Sequence, residues 1–327
     1  MDNPVFQASL AVFLIMLVGC VLRHFRWLAP EADRTLLNLS VNFLYPCLIF
    51  SKIFRTDLSA HFSSLWLFPV CGFTVIIIGI FFSWIFTIFP AVVTGLHNKA
   101  QRRTFIACVS MINYGFLPIP LIMQLYPEND ELLTLLFVFN LGLEFALWTC
   151  VVPLMAGGLE RGWWKKLFRI PLLAILFAVT ANFLGFSHYI SGGMMTALDM
   201  LGMSQIPLAL IMIGAIIYDE LAGNFRSVRR RDTVKIIIGT LLVRAAILPL
   251  CMILLACCLP DYPWLQKIIV IQAAMPCATT PIMFARMYEG ASDVAVRTVL
   301  VSSVASLVTV VFWVSWGMWM IGSPLLA

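Results

Sequence analysis

Two short stretches place helix-breaking and polar residues inside long apolar runs. One reads Asn113-Tyr114-Gly115-Phe116-Leu117-Pro118-Ile119-Pro120, the other Gln272-Ala273-Ala274-Met275-Pro276-Cys277-Ala278-Thr279-Thr280-Pro281. A proline in a helix interior removes one hydrogen bond and collides with the preceding turn, at about 3 kcal/mol. Prolines this close together predict an interrupted helix in each stretch. The half-helix that restarts after a break offers free N–H groups and partial positive charge, which suits a carboxylate. The candidate ligand-lining residues are therefore Asn113, Tyr114, Gly115, Pro118 and Pro120 in the first stretch. In the second they are Gln272, Pro276, Cys277, Thr279, Thr280 and Pro281. The competing reading is a pair of plain proline kinks with no ligand.

Two charged residues lie deep inside apolar runs, Glu144 and Arg244. Intramembrane charges are costly and usually face the protein interior. They read either as a proton-titrating carboxylate and an anion-coordinating guanidinium, or as a structural ion pair, which is the preferred reading. Asn140 shares the helix face of Glu144. Ser302, Ser306 and Thr309 recur at helical spacing and read as close-packing positions before substrate contacts. The four histidines fall near run ends. The nine cysteines show no metal spacing and read as small buried hydrophobes. No Walker A loop is present, so ATP is not the expected energy source, and no cofactor is expected. An enzyme would need several His, Asp, Glu or Cys at one depth, and Glu144 is the one deep carboxylate.

The elements that carry these residues follow from composition. Hydrophobic residues form 61% of the 327 and charged residues only 11%, whereas a soluble domain carries about a quarter charged. Only a bilayer accommodates that balance. Ten runs approach the length of roughly 20 apolar residues that a span needs. They fall near 4–22, 35–54, 65–89, 104–124, 132–156, 168–187, 194–217, 233–258, 267–286 and 296–321. The first lacks a basic leader and a cleavage site, so it reads as a retained span. The odd-numbered loops hold 17 Lys and Arg and the other side 3. This bias predicts both termini outside, in a plasma membrane (the inner membrane if the source is bacterial). With its basic residues split among short loops, the net charge of +5 is a topology signal, and nucleic acid is not an expected partner.

A Gly-Gly, Trp-Trp and Lys-Lys segment around 157–166 divides the chain into a first repeat at 1–157, an interfacial linker at 158–167 that meets membrane lipid, and a second repeat at 168–327. Five spans per half makes the halves enter the membrane from opposite sides, as an inverted repeat requires. Pro46 and Pro207 stand 161 positions apart, as do Pro120 and Pro281, and Gly115 and Pro276. Matched interruptions in two such halves are the sequence pattern of a transporter binding site.

The stretch from Gln272 through Pro281 to Phe284-Ala285-Arg286 resembles the ninth helix of the auxin efflux carrier family, which includes the plant PIN exporters and bacterial malate and malonate carriers. Asn113 to Pro120 resembles its fourth helix. Leu44–Phe50, Ile206–Leu210 and Val301–Leu307 fit the pattern too, so the resemblance covers nearly the whole chain. It implies an all-α fold of ten helices shared with bile-acid symporters and sodium/proton antiporters. Helices 1, 2, 6 and 7 would form a dimerising scaffold. Helices 3–5 and 8–10 would form a transport domain that moves as an elevator, with helices 4 and 9 crossing at their broken centres. Two departures leave the substrate open: Thr280 stands where many bacterial members have Asn, and Ile112 where the plant exporters have Pro. The expected function is a secondary carrier of a small organic anion. The alternative is a sodium- or proton-coupled carrier, weakened by the lack of a carboxylate in either broken stretch. A receptor that does not transport would normally carry a signalling domain.

Overall fold

Apolar sequence of this kind folds into helices because a bilayer leaves no partner for a bare peptide group. The computed structural model of the chain describes residues 4–127, 129–158, 169–224 and 230–323. Among them the chain is helical, with a single pair of residues, Ile112 and Cys277, in β-type pairing. From Leu159 on, the proposed interfacial linker lies outside the described residues.

Among the described residues, seven helices are long and apolar enough to cross a membrane. They are α1 (Pro4–His24), α2 (Pro30–Ile53), α3 (Leu67–Ile88), α6 (Asp130–Ala156), α8 (Gly192–Asn224), α9 (Arg231–Cys257) and α12 (Ser292–Met320). Between them lie α4 (Lys99–Ser110) and α5 (Pro118–Leu125), α7 (Ile170–Phe183), then α10 (Pro263–Ala274) and α11 (Thr280–Met287). The sequence reading drew single spans at 104–124 and 267–286. The structure splits each into two helices, neither long enough to cross alone. Helix α7 has 14 residues, shorter than the run drawn at 168–187, and at 1.5 Å per residue reaches only about 21 Å.

Local chemistry accounts for the shapes. Three helices contain a wider turn immediately before a proline: Ser40–Leu44 before Pro46, Leu147–Val151 before Pro153, and Leu241–Ile247 before Pro249. The proline ring would strike the carbonyl four residues back, and widening that turn relieves the collision. Pro207 sits inside the continuous α8 without such a turn. Asn98 caps α4 and Asn129 caps α6, each side chain accepting a backbone N–H.

Packing sorts the helices into two groups. Helix α8 packs on α1 and α2, and α7 on α2. In the other group α3 packs on α4 and α6, and α12 on α4, α9, α10 and α11. Reciprocal glycines set the closest approaches. A Cβ on Gly19 would lie 2.1 Å from the Ile211 carbonyl oxygen, and one on Gly214 1.9 Å from that of Met16. Gly142 and Pro69 repeat this between α6 and α3, at 1.8 Å. Small residues let backbones approach where lipid supplies no hydrophobic driving force. The two groups meet where α1 lies against α5 and α12, and α2 against α6. Large apolar side chains such as Leu17, Phe81, Phe177 and Phe312 face outward, as membrane-spanning helices require.

Charges collect at the two ends of the bundle. At one end Lys52 pairs with Asp130 (2.9 Å) and Asp199 (3.6 Å), Arg55 with Asp199 (3.4 Å), and His61 with Glu131. At the other, Arg23 pairs with Asp33 (2.5 Å) and Asp219 (3.1 Å), and His97 with Asp232 (3.3 Å).

Candidate functional site

The two breaks meet. Helix α4 ends at Met111, whose backbone turns extended, and α10 ends the same way at Met275. The Asn113 N–H donates to the Pro276 carbonyl at 2.9 Å, and the Ala278 N–H donates to the Met111 carbonyl at 2.9 Å. These bonds run antiparallel around Ile112 and Cys277. Each break therefore pairs part of the backbone that the other leaves open, which removes a cost of several kcal/mol per unpaired group in an apolar interior. Plain proline kinks would not need each other.

Polar side chains surround this crossing. The buried Asn113 accepts the Phe116 N–H on Oδ1 at 3.3 Å. The Tyr114 carbonyl accepts from Asn140 Nδ2 at 3.2 Å and from Gln272 Nε2 at 3.5 Å, and Gln272 Nε2 also reaches Asn140 Oδ1 at 3.3 Å. Gln272 Oε1 is buried without a hydrogen-bond partner. The Cys277 N–H donates to Ser302 Oγ at 3.1 Å, which places α12 against the second break. Ser302 is thus a partner of the break and more than a packing position. Ser306 donates to the Ser303 carbonyl within its own helix.

The remaining candidates occupy distinct places. Pro118, Pro120, Pro276 and Pro281 are buried at the break edges, and Thr279 and Thr280 are partly exposed. A Cβ on Gly115 would meet nothing within 4 Å, so that position borders open space. Neither α5 nor α11 has a side-chain cap at its start. The prolines, however, thin the row of free donors. Pro118 and Pro120 lack N–H groups on α5, as does Pro281 on α11, so Ile119 and Thr280 carry the donors of each helix's first two positions.

The structure does not join Glu144 to Arg244. Glu144 Oε1 accepts from the Tyr114 hydroxyl at 2.5 Å and Oε2 from Trp148 Nε1 at 3.2 Å. The Arg169 guanidinium lies over the Trp148 ring, 4.5 Å from its centre. Arg244 is buried and donates through Nε (3.0 Å) and Nη2 to the Met275 carbonyl. The expected ion pair thus resolves into two attachments. Glu144 binds the first break through a side chain, and Arg244 binds the second through the backbone. Helices α6 and α9 each face their own break, so the charges are directed apart.

A narrow cleft, with room for about one water molecule, lies beside the crossing. Ser9, Val12 and Phe13 of α1 line it, with Leu117, Leu121, Met275 and Val310 opposite. The sequence reading placed none of these seven among its candidate ligand-lining residues. Leu117 and Met275 adjoin Pro118 and Pro276, which is signal enough in hindsight. Ser9 left only the faint trace of one hydroxyl in an apolar span, yet its Oγ is buried and unpartnered.

A model of the family described as "membrane transport protein" matches residues 4–162 and 158–314. An "uncharacterized transporter" of Methanothermobacter thermautotrophicus is 27% identical over 310 residues, which cover 94% of this chain and 96% of that protein. The broken, mutually paired helices and these matches agree with the resemblance carried by residues 113–120 and 272–286: the chain belongs to the membrane transport protein family, that of the auxin efflux carriers.

Proposed function

We propose that this membrane transporter is a secondary carrier of a small organic anion such as a carboxylate. One observation carries the reading: two interrupted helices meet at a crossing held by backbone hydrogen bonds, beside a cleft. Irregular backbone at membrane depth persists where protein or a wet cavity surrounds it, and such crossings mark binding sites in transporters. The Ile119 and Thr280 N–H groups, the Asn113 amide and the open space at Gly115 supply anion-binding chemistry without a carboxylate at the crossing.

The ten-span count belongs to this proposal. It takes α4 with α5, and α10 with α11, as single interrupted spans and α7 as a short one. The halves at 1–157 and 168–327 are then inverted repeats. The group of α1, α2, α7 and α8 acts as a dimerising scaffold, and the other moves against it as an elevator. Both termini lie outside a plasma membrane, and membrane lipid meets the linker.

A second reading, coupling to sodium or protons, draws on the unpartnered Gln272 Oε1 beside Asn140 Oδ1 and the Tyr114 carbonyl. Proteoliposome uptake of a labelled mono- and dicarboxylate panel, with and without sodium or pH gradients, separates the two. Asn113→Ala is expected to abolish uptake with expression intact. Uptake by that variant equal to wild type at every concentration would refute the site.

A further inference from the structure

Tyr114 and Met275 stand 161 positions apart, the same offset that relates the prolines of the two breaks. In the structure both carbonyls accept from side chains of neighbouring helices, but the donors differ. The Tyr114 carbonyl takes two neutral amides, from Asn140 and Gln272. The Met275 carbonyl takes the guanidinium of Arg244. The position 161 before Arg244 is Ser83, whose hydroxyl donates to the Gly79 carbonyl inside its own helix. A guanidinium therefore grips the break carbonyl on one side of the crossing, and the matching carbonyl on the other side is held by amides alone.

Nothing in the backbone requires this asymmetry, since amides suffice at Tyr114. Arg244 is 3% exposed, and among the described residues no carboxylate lies within ion-pair distance of it. Its titratable neighbour is the Cys277 thiol, on the break itself. Glu144 is held by Tyr114 and Trp148. A buried guanidinium with no counter-charge is costly unless an anion completes it. Met275, the residue it grips, lines the cleft beside α1.

We propose that Arg244 is a positioning residue that fixes the second break through the Met275 carbonyl and gives the crossing a permanent positive charge that selects anionic over neutral cargo. The inference rests on the anion-carrier reading and adds where the selectivity comes from. A monoanionic carboxylate matches the single charge, and a neutral isostere finds the same shape without the attraction.

The test uses purified full-length protein and thermal unfolding against carboxylic acids of two to six carbons, each paired with its neutral amide. The acids that stabilise wild type should do so more than their amides. Arg244→Gln keeps a donor for the Met275 carbonyl but removes the charge. It should weaken the acid by about tenfold, equivalent to roughly 1.4 kcal/mol, and leave the amide within about twofold. Arg244→Lys should restore the acid preference, which a merely structural role would not predict. If Arg244→Gln fails to fold, the lysine variant alone decides, since loss of acid preference there overturns the proposal. A folded Arg244→Gln that still prefers acids also overturns it. A wild type indifferent to every acid instead overturns the anion-carrier reading.

Discussion

The seam between the two helix groups is tied at one end by a partly buried ion pair, and removing it should open that end. Lys52 on α2 donates to Asp130 on α6 at 2.9 Å, and beside it the buried Thr56 and Thr134 hydroxyls share a hydrogen bond at 2.8 Å. Lys52 also reaches Asp199 on α8, within its own group. If α6 moves against α2, the Asp130 contact breaks and the Asp199 contact stays. At 2.9 Å and an effective dielectric constant of about 20, the raw attraction is about 6 kcal/mol, most of it offset by desolvation. Asp130 is 31% exposed, so a net value of about 2 kcal/mol, within the usual range for charged hydrogen bonds, is appropriate. That corresponds to a change of about 30-fold in the ratio of open to closed states. Asp130→Asn removes the tie across the seam while Lys52 keeps Asp199. Thr134→Cys reports opening through its reaction with a membrane-impermeant maleimide, corrected for labelling of the parent chain. The Asp130→Asn background should label about 30-fold faster when closing outpaces alkylation. Arg55→Gln, which touches only the Asp199 side, serves as a control and should change little. A rate within twofold of the parent, or an equal rise with Arg55→Gln, would refute the seam as a closure.

Two further outcomes are expected. Gly142→Ala would put a methyl 1.8 Å from the Pro69 carbonyl oxygen and should force α3 and α6 apart, with clear loss of thermal stability in detergent, whereas Gly193→Ala meets nothing within 4 Å and should be neutral. A reporter fused after Ala327 should score as external, and a cytoplasmic score would overturn the span count or the polarity of the basic loops.

Much of the architecture was legible because its signals are local. An apolar run of membrane length, a proline, or a basic loop acts through its own few residues, so the helical class and the positions of both breaks could be read without a structure. The breaks at 111–117 and 275–279 lie where Gly115, Pro118, Pro120, Pro276 and Pro281 put them. Span ends were less certain. Helix α8 continues through Pro207 to Asn224 and α7 stops at Phe183, because tertiary packing settles where a helix frays. The partners of the polar groups were not legible at all. Glu144 and Arg244 are the obvious pair by charge and depth, yet each satisfies its own break. Which helix faces which depends on approaches such as Gly19 to Ile211 and Gly142 to Pro69, made between positions far apart in the chain. No window of sequence contains both sides of such a contact. The antiparallel pairing of Ile112 with Cys277 and the cleft from Ser9 to Val310 therefore exist only once the two halves have packed, since the bonds from Asn113 N–H to the Pro276 carbonyl and from Ala278 N–H to the Met111 carbonyl each join one half to the other.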